Sequence, residues 1–318
     1  MSKMNKTKIY GYICWDACIV ALIESKEMEY WLLFAQTFQI RYNHNDDTSD
    51  RKISNKSFGS QFTSGMNGMQ ELANELFGLE INEIKANSKD ELVELVKQQL
   101  AEGKSVGVVT NVYWCNWSVY YKKTFNEHII LVTSIQGEEV VCVDNMLSDG
   151  ICKMKYCDFV EGITGVRLYS FMPRNKINYK AVWEKSLLYT MQVAQKEEFN
   201  QFIQDFPDHF NMEKEFEAFA SDGWSSIFWR NLFYYISGSR VMYSCFLQNM
   251  GMKLRKDAFL IATDMLNVAE NKWKRLSMLF IRFYNEGTYN MKGSIEALQD
   301  IYQYEKGILD FICKNIGV

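Results

Sequence analysis

The stretch His128-Ile-Ile-Leu-Val-Thr-Ser-Ile-Gln136-Gly-Glu-Glu139-Val-Val-Cys-Val-Asp144 decides the fold of the first half of this chain. Two apolar, β-branched runs flank a Gln-Gly-Glu connection, which is the pattern of an antiparallel hairpin. With Gln136 at the centre of the turn, His128 falls directly opposite Asp144, Cβ atoms roughly 5 Å apart on one face. A slip of one residue would put the two on opposite faces. Placed together, the carboxylate can hold one imidazole nitrogen and leave the other for a nucleophile.

The nucleophile has one good candidate. Cys14-Trp15-Asp16-Ala17-Cys18 heads an apolar stretch that runs to Ile23, and it reads as a fully buried helix. A thiol at a helix N-terminus feels the positive end of the dipole, which favours thiolate. Cys14 has that position, whereas Cys18 lies one turn further in and points into the core. Histidine is scarce, with only three in 318 residues. His44 sits in a polar loop and His209 follows Pro207-Asp208, so both read as surface residues. Taken singly, each of the three residues has an ordinary structural meaning: a cysteine as a small hydrophobe, a histidine at a strand start, an aspartate opening a turn. Together, Cys14, His128 and Asp144 point to a Cys–His–Asp catalytic set.

Working outward, the first half mixes helix and strand signals. Residues 67–77 read as a helix closed by Gly78, and 79–84 alternate like a half-buried strand. Ser88 is an N-cap for a helix over 89–102, followed by a buried strand at 106–112. A further strand is expected at 164–172, and the Asn/Asp-rich segment Tyr42–Arg51 reads as a solvated loop. After Pro173 the period changes to three and four. Leu187, Leu188, Met191 and Ala194 make one stripe, Leu260, Met265 and Leu266 another, and Met278, Leu279, Phe280 and Phe283 a third, while Ile295, Leu298 and Ile301 begin the last helix. The expected fold class is therefore α+β, with residues 1–173 as a mixed N-terminal domain and 174–318 as an all-α C-terminal domain of about five helices.

Composition excludes several classes. A net charge of −4 argues against nucleic-acid binding. Eight cysteines without CxxC pairs favour reduced thiols, and Cys14/Cys18 with Cys152/Cys157 lack the knuckle spacing of common zinc sites. Asp16 interrupts the first apolar stretch, so it reads as neither a signal peptide nor a membrane span. These readings together predict a cytoplasmic protein with no metal and no membrane partner. GxGxxG, Walker and HExxH motifs do not occur, so nucleotide and zinc-protease functions lack support.

Cys14-x-x-Ala17-Cys18-Ile19 resembles the nucleophile helix of the C39 papain-like peptidases. His128-Ile-Ile-Leu-Val and Val141-Cys-Val-Asp144 match the other two members of that set. The fuller resemblance is to the butirosin biosynthesis protein H family, in which a C39-like domain carries a helical C-terminal domain. The resemblance implies a papain-like N-terminal domain that moves an acyl group from a carrier protein to an amine. Within that group the chain is most similar to papain-like amide synthases of the closthioamide type, which join carrier-bound acyl chains to a diamine. Lys8 stands where C39 peptidases place an oxyanion-hole glutamine, Trp15 replaces a glycine, and Asn111 replaces an acidic residue. Losing the glutamine weighs against the alternative reading, a C39-like cysteine peptidase or amidase, because a thioester needs less oxyanion stabilisation than an amide.

The implied partners are an acyl or peptidyl carrier protein and a small amine or diamine. The chain itself needs no cofactor, since the acyl donor rides on the partner's phosphopantetheine. The helical domain is expected to act as lid, acyl channel or carrier-docking surface. Trp224, Phe228, Trp229, Tyr234 and Tyr235 are candidates for the channel. Lys253-Leu-Arg255-Lys256 and Lys272-Trp-Lys274-Arg275 are candidates for docking an acidic carrier.

Overall fold

A computed structural model of the chain describes residues 13–42, 57–64, 68–86, 88–148, 150–215, 217, 231–287 and 289–317. Lys8, His44, most of the loop at 42–51, Trp224, Phe228 and Trp229 lie outside the described residues. The chain divides into two compact units, and its architecture is α+β.

The first unit runs through residues 13–33 and 68–176. Helix α1 (Cys14–Ser25) is buried from Asp16 through Ile23 because its sequence is apolar nearly all round. Alternating and β-branched segments build the antiparallel sheet, with α2 (Met69–Phe77) before its first strand and α3 (Lys89–Ala101) and α4 (Tyr156–Gly162) between strands. In chain order the strands are β3 (Leu79–Ile84), β4 (Val106–Asn111), β5 (Glu127–Gln136), β6 (Glu139–Asp144), β7 (Gly150–Lys155) and β8 (Gly165–Phe171). Their spatial order is β3-β8-β4-β5-β6-β7. Ser88 caps α3 by accepting from the Glu91 N–H. Gly78 ends α2 at φ +68°, a left-handed position where a Cβ would meet the Met172 carbonyl. Leu92, Val93 and Val96 of α3 pack on Val108, Ile130, Val132 and Cys142 to form the core. Helix α1 packs against β5 and β6.

The hairpin register differs from the expected one. The turn is the two-residue Gly137-Glu138, with Gln136 paired to Glu139. That register alone would place Asp144 across from Leu131, on the other face from His128. A β-bulge between Val132 and Ser134 adds one residue to β5, after which Val132 pairs Cys142 and Leu131 pairs Val143. Continued one step, this register sets Asp144 across from Ile130, which shares a face with His128.

The second unit runs through residues 34–42, 57–64 and 177–317. This differs from a single cut near residue 173, since residues 34–42 and 57–64 lie in the N-terminal half of the sequence. Their burial gives the reason. A short ladder pairs β1 (Arg41–Tyr42) with β2 (Phe62–Thr63), and Ile40, Tyr42 and Phe62 are buried among Phe202, Phe206 and Trp273. The helices are α5 (Tyr179–Ala194), α6 (Glu198–His209), α7 (Ser237–Leu254), α8 (Ala258–Glu286) and α9 (Met291–Asn315), with one π-helical turn, Asn231–Ile236, leading into α7. Pro207 lies in the last turn of α6, and His209 is that helix's final residue and exposed. The expected stripes are only half correct: Leu187 is buried, but Leu188, Met191 and Leu260 are exposed. Among the described residues no helix is long and apolar enough to cross a membrane.

Candidate active site

The first unit brings together all three residues singled out in the sequence. Cys14 is the first residue of α1, half-buried, preceded by Ile13 in extended conformation. Cys18, one turn on, is buried with its thiol toward the Ile129 carbonyl at 3.8 Å. Burial, with Cys14 and Asp144 nearby, pushes the Cys18 thiol well up, which keeps it protonated.

His128 and Asp144 are both buried, and His128 Nε2 donates to Asp144 Oδ2 at 2.8 Å. With Nε2 committed, Nδ1 remains for the thiol, and a side-chain hydrogen bond links His128 with Cys14. Burial opposes charge on His128, but the contacts with Asp144 and Cys14 outweigh it and push its pKa up to about 9. The imidazole is therefore held as imidazolium at neutral pH.

Asp144 accepts at both oxygens. Its Oδ2 also takes the indole N–H of Trp117 at 2.8 Å, and Oδ1 takes the backbone N–H groups of Met146 and Leu147 at 3.0 Å each. Burial would raise its pKa, yet hydrogen bonds from His128, Leu147 and Trp117 hold it below the ordinary aspartate value. The turn expected after Asp144 is present, and the same carboxylate organises it.

Trp117 carried no signal in the sequence beyond being aromatic. It sits on the segment between β4 and β5, which Asn111 braces by accepting from both Tyr113 N–H (3.0 Å) and Asn126 N–H (3.1 Å). A neutral amide thus replaces the acidic residue with a defined structural task. Trp15, in the place of a glycine, stacks under Arg167, whose guanidinium carbon is 3.0 Å from the ring centroid. Arg167 also pairs with Glu83. Nearby, Asp16 is buried with Oδ2 lacking a hydrogen-bond partner. Burial and the Glu71 charge push Asp16 up to about 7, against the pull of Arg167.

Residues 51–145 match the family model described as Butirosin biosynthesis protein H, N-terminal. Over this stretch the chain is similar to that family. The likeness read from the sequence is thereby found independently over these residues. The matched segment includes His128 and Asp144, while Cys14 lies before it. No curated protein matches the chain.

Proposed function

We propose that the chain is a cysteine acyltransferase in natural-product biosynthesis, forming an amide from a carrier-bound thioester and a primary amine. One observation carries this reading: Asp144 occupies His128 Nε2 and leaves Nδ1 to the Cys14 thiol at a helix N-terminus. A thiolate–imidazolium pair of that kind is a nucleophile and a proton store in one. The family match supports a biosynthetic rather than a digestive setting.

The steps balance as follows. Cys14 Sγ attacks the thioester carbonyl, the new S–C bond forms, and the pantetheine thiolate leaves with the proton from His128. The neutral imidazole then takes a proton from the incoming amine as its nitrogen attacks the acyl-enzyme. The C–N bond forms, the C–S bond to Cys14 breaks, and the thiolate–imidazolium pair is restored. Asp144 holds the ring in place through both steps and stabilises its charge. Water competes with the amine, so product partitioning is the test. With a small acyl thioester, amide should exceed free acid as amine concentration rises. Free acid at every amine concentration, or cleavage of unmodified peptides at comparable rates, would instead favour the C39-like peptidase or amidase.

Of the two basic clusters considered for carrier docking, Lys253-Leu-Arg255-Lys256 has Lys253 over the Tyr179 ring, 4.9 Å from its centroid. In the other, Lys272 pairs with Asp300, Lys274 pairs with Glu270 at 2.6 Å, and Trp273 is fully buried. Those charges are already partnered within the helices. Tyr234 and Tyr235 pack edge to face on each other, centroids 5.3 Å apart.

A further inference from the structure

The second unit contains a cavity that the acyl-transfer chemistry does not call on. It is bounded wholly within that unit, by residues 38–40, the end of α5, the start of α6 and the C-terminal half of α9, and measures about 290 Å³. Small-molecule sites begin near this size and are mostly apolar with a few fixed polar groups. Phe38, Ile40, Val193, Phe199 and Leu309 supply the apolar wall.

The charges around it are lopsided. Glu197, Glu198, Glu305 and Asp310 reach the cavity, against Arg240 and Lys306. Arg240 is committed to Glu305 through Nε and a terminal nitrogen, at 2.7 and 2.6 Å, so that pair forms a rigid and neutral floor. Glu198 accepts the Tyr42 backbone N–H at 2.8 Å, and Glu197 accepts the Tyr302 hydroxyl at 2.5 Å. Neutral donors hold both carboxylates without cancelling their charge. Among the described residues Asp310 has neither a hydrogen bond nor an ion pair, and Lys306 has no ion pair. Negative charge therefore exceeds positive around the cavity; Glu197 and Asp310 are exposed, so they favour a cation over an anion through solvent rather than from the interior. The Tyr302 ring already has a cation over it, Lys306 Nζ at 6.0 Å from its centroid.

We infer that this cavity is a binding site for a small amine with an apolar body, its hydrocarbon against Phe38 and Leu309 and its ammonium group toward Asp310 and Glu197. The site stands apart from the acyl-transfer reading and does not need Cys14.

Cys313 lines the same cavity and is a free, exposed thiol, so occupancy can be read as protection from alkylation. The full chain is treated with iodoacetamide at about pH 7.5, where an alkylamine is an ammonium ion. Octylamine, octanol or octanoate is titrated in, and modification of Cys313 and of Cys157, an exposed thiol of the other unit, is followed by peptide mass spectrometry. Octylamine should protect Cys313 but not Cys157, at concentrations about tenfold below octanol, with octanoate weakest. Asp310→Asn should shrink the preference for amine over alcohol several-fold while leaving protection by octanol intact. Cys14→Ala should behave as the parent protein, so loss of acyl transfer and loss of this site are separate results. Absence of protection, equal protection by all three compounds, or a preference for octanoate would overturn the inference.

Discussion

Asp144 meets His128 along a diagonal of the β5–β6 ladder, its Oδ2 2.8 Å from the imidazole Nε2. The contact depends on the bulge between Val132 and Ser134, which brings both side chains to one face. It also fixes which nitrogen is left for chemistry.

All four hydrogen bonds at Asp144 arrive from donors, two to each oxygen. An amide at this position would turn its NH2 toward two of them in either orientation. Asp144→Asn should therefore lower kcat/KM for acylation by about a hundredfold or more, while Trp117→Phe, which removes one donor, should cost about tenfold. Steady-state kinetics with one thioester substrate checks the order. A Trp117→Phe loss as large as that of Asp144→Asn would mean that the indole does more than hold the carboxylate.

The pH dependence has a definite sign. His128 is raised to about 9, so its contribution to folding is complete below the ordinary histidine pKa and is lost as pH climbs through about 9. Asp144 is lowered, so its contribution is present above the ordinary aspartate value and lost as pH falls into the acid range. Single-turnover acylation should stay level through neutrality and decline above about 9 as the imidazolium loses its proton. A rate still climbing at that point would show that acylation does not use the imidazolium.

Asp16 behaves in the opposite sense. Its folded-state pKa of about 7 lies above the unfolded value, so its protonated form favours folding at low pH and that gain fades as pH rises toward 7. Asp16→Asn should remove this part of the pH dependence, raising the melting temperature relative to the parent at about pH 8 more than at pH 5. Thermal melts of both proteins across this range decide it. A variant less stable than the parent at pH 8 would mean that the ionised carboxylate has a favourable partner.

In the helical unit the buried Arg240–Glu305 pair should be costly to break and cheap to replace. Arg240 also donates to the Gln39 carbonyl at 3.0 Å, and Trp273 donates to Glu305 at 2.7 Å. Arg240→Met alone strands a buried carboxylate and should destabilise by about 3–5 kcal/mol. Arg240→Met with Glu305→Leu should recover part of that loss. Urea unfolding of the two variants provides the comparison, and a double variant worse than the single one would contradict it.

The pieces legible in the sequence were those set by local pattern. Ser88 and Gly78 marked helix ends because caps and left-handed turns have few residue choices. Cys14 was separable from Cys18 because one helical turn decides exposure. The β5–β6 register was not legible, since a bulge at Thr133 has no residue signature and changes the pairing by one. Trp117 was missed because its partner, Asp144, is 27 positions away and only the fold joins them. Residues 34–42 and 57–64 fold with the C-terminal helices through Phe62 and Tyr42, a long-range burial that period alone does not reveal. Leu188 and Met191 matched a helical stripe but face outward, because the apolar period fixes a face only when the neighbours are known.

The most direct test of the account is where an acyl group lands. The protein is mixed with a small acyl thioester, its intact mass is recorded, and the modified peptide is located. One acyl group should appear on Cys14, vanish in Cys14→Ala, persist in Cys18→Ala, and be released as amide when a primary amine is added. An adduct that forms on Cys18, or a protein that turns the thioester over with no adduct at Cys14, would contradict the account.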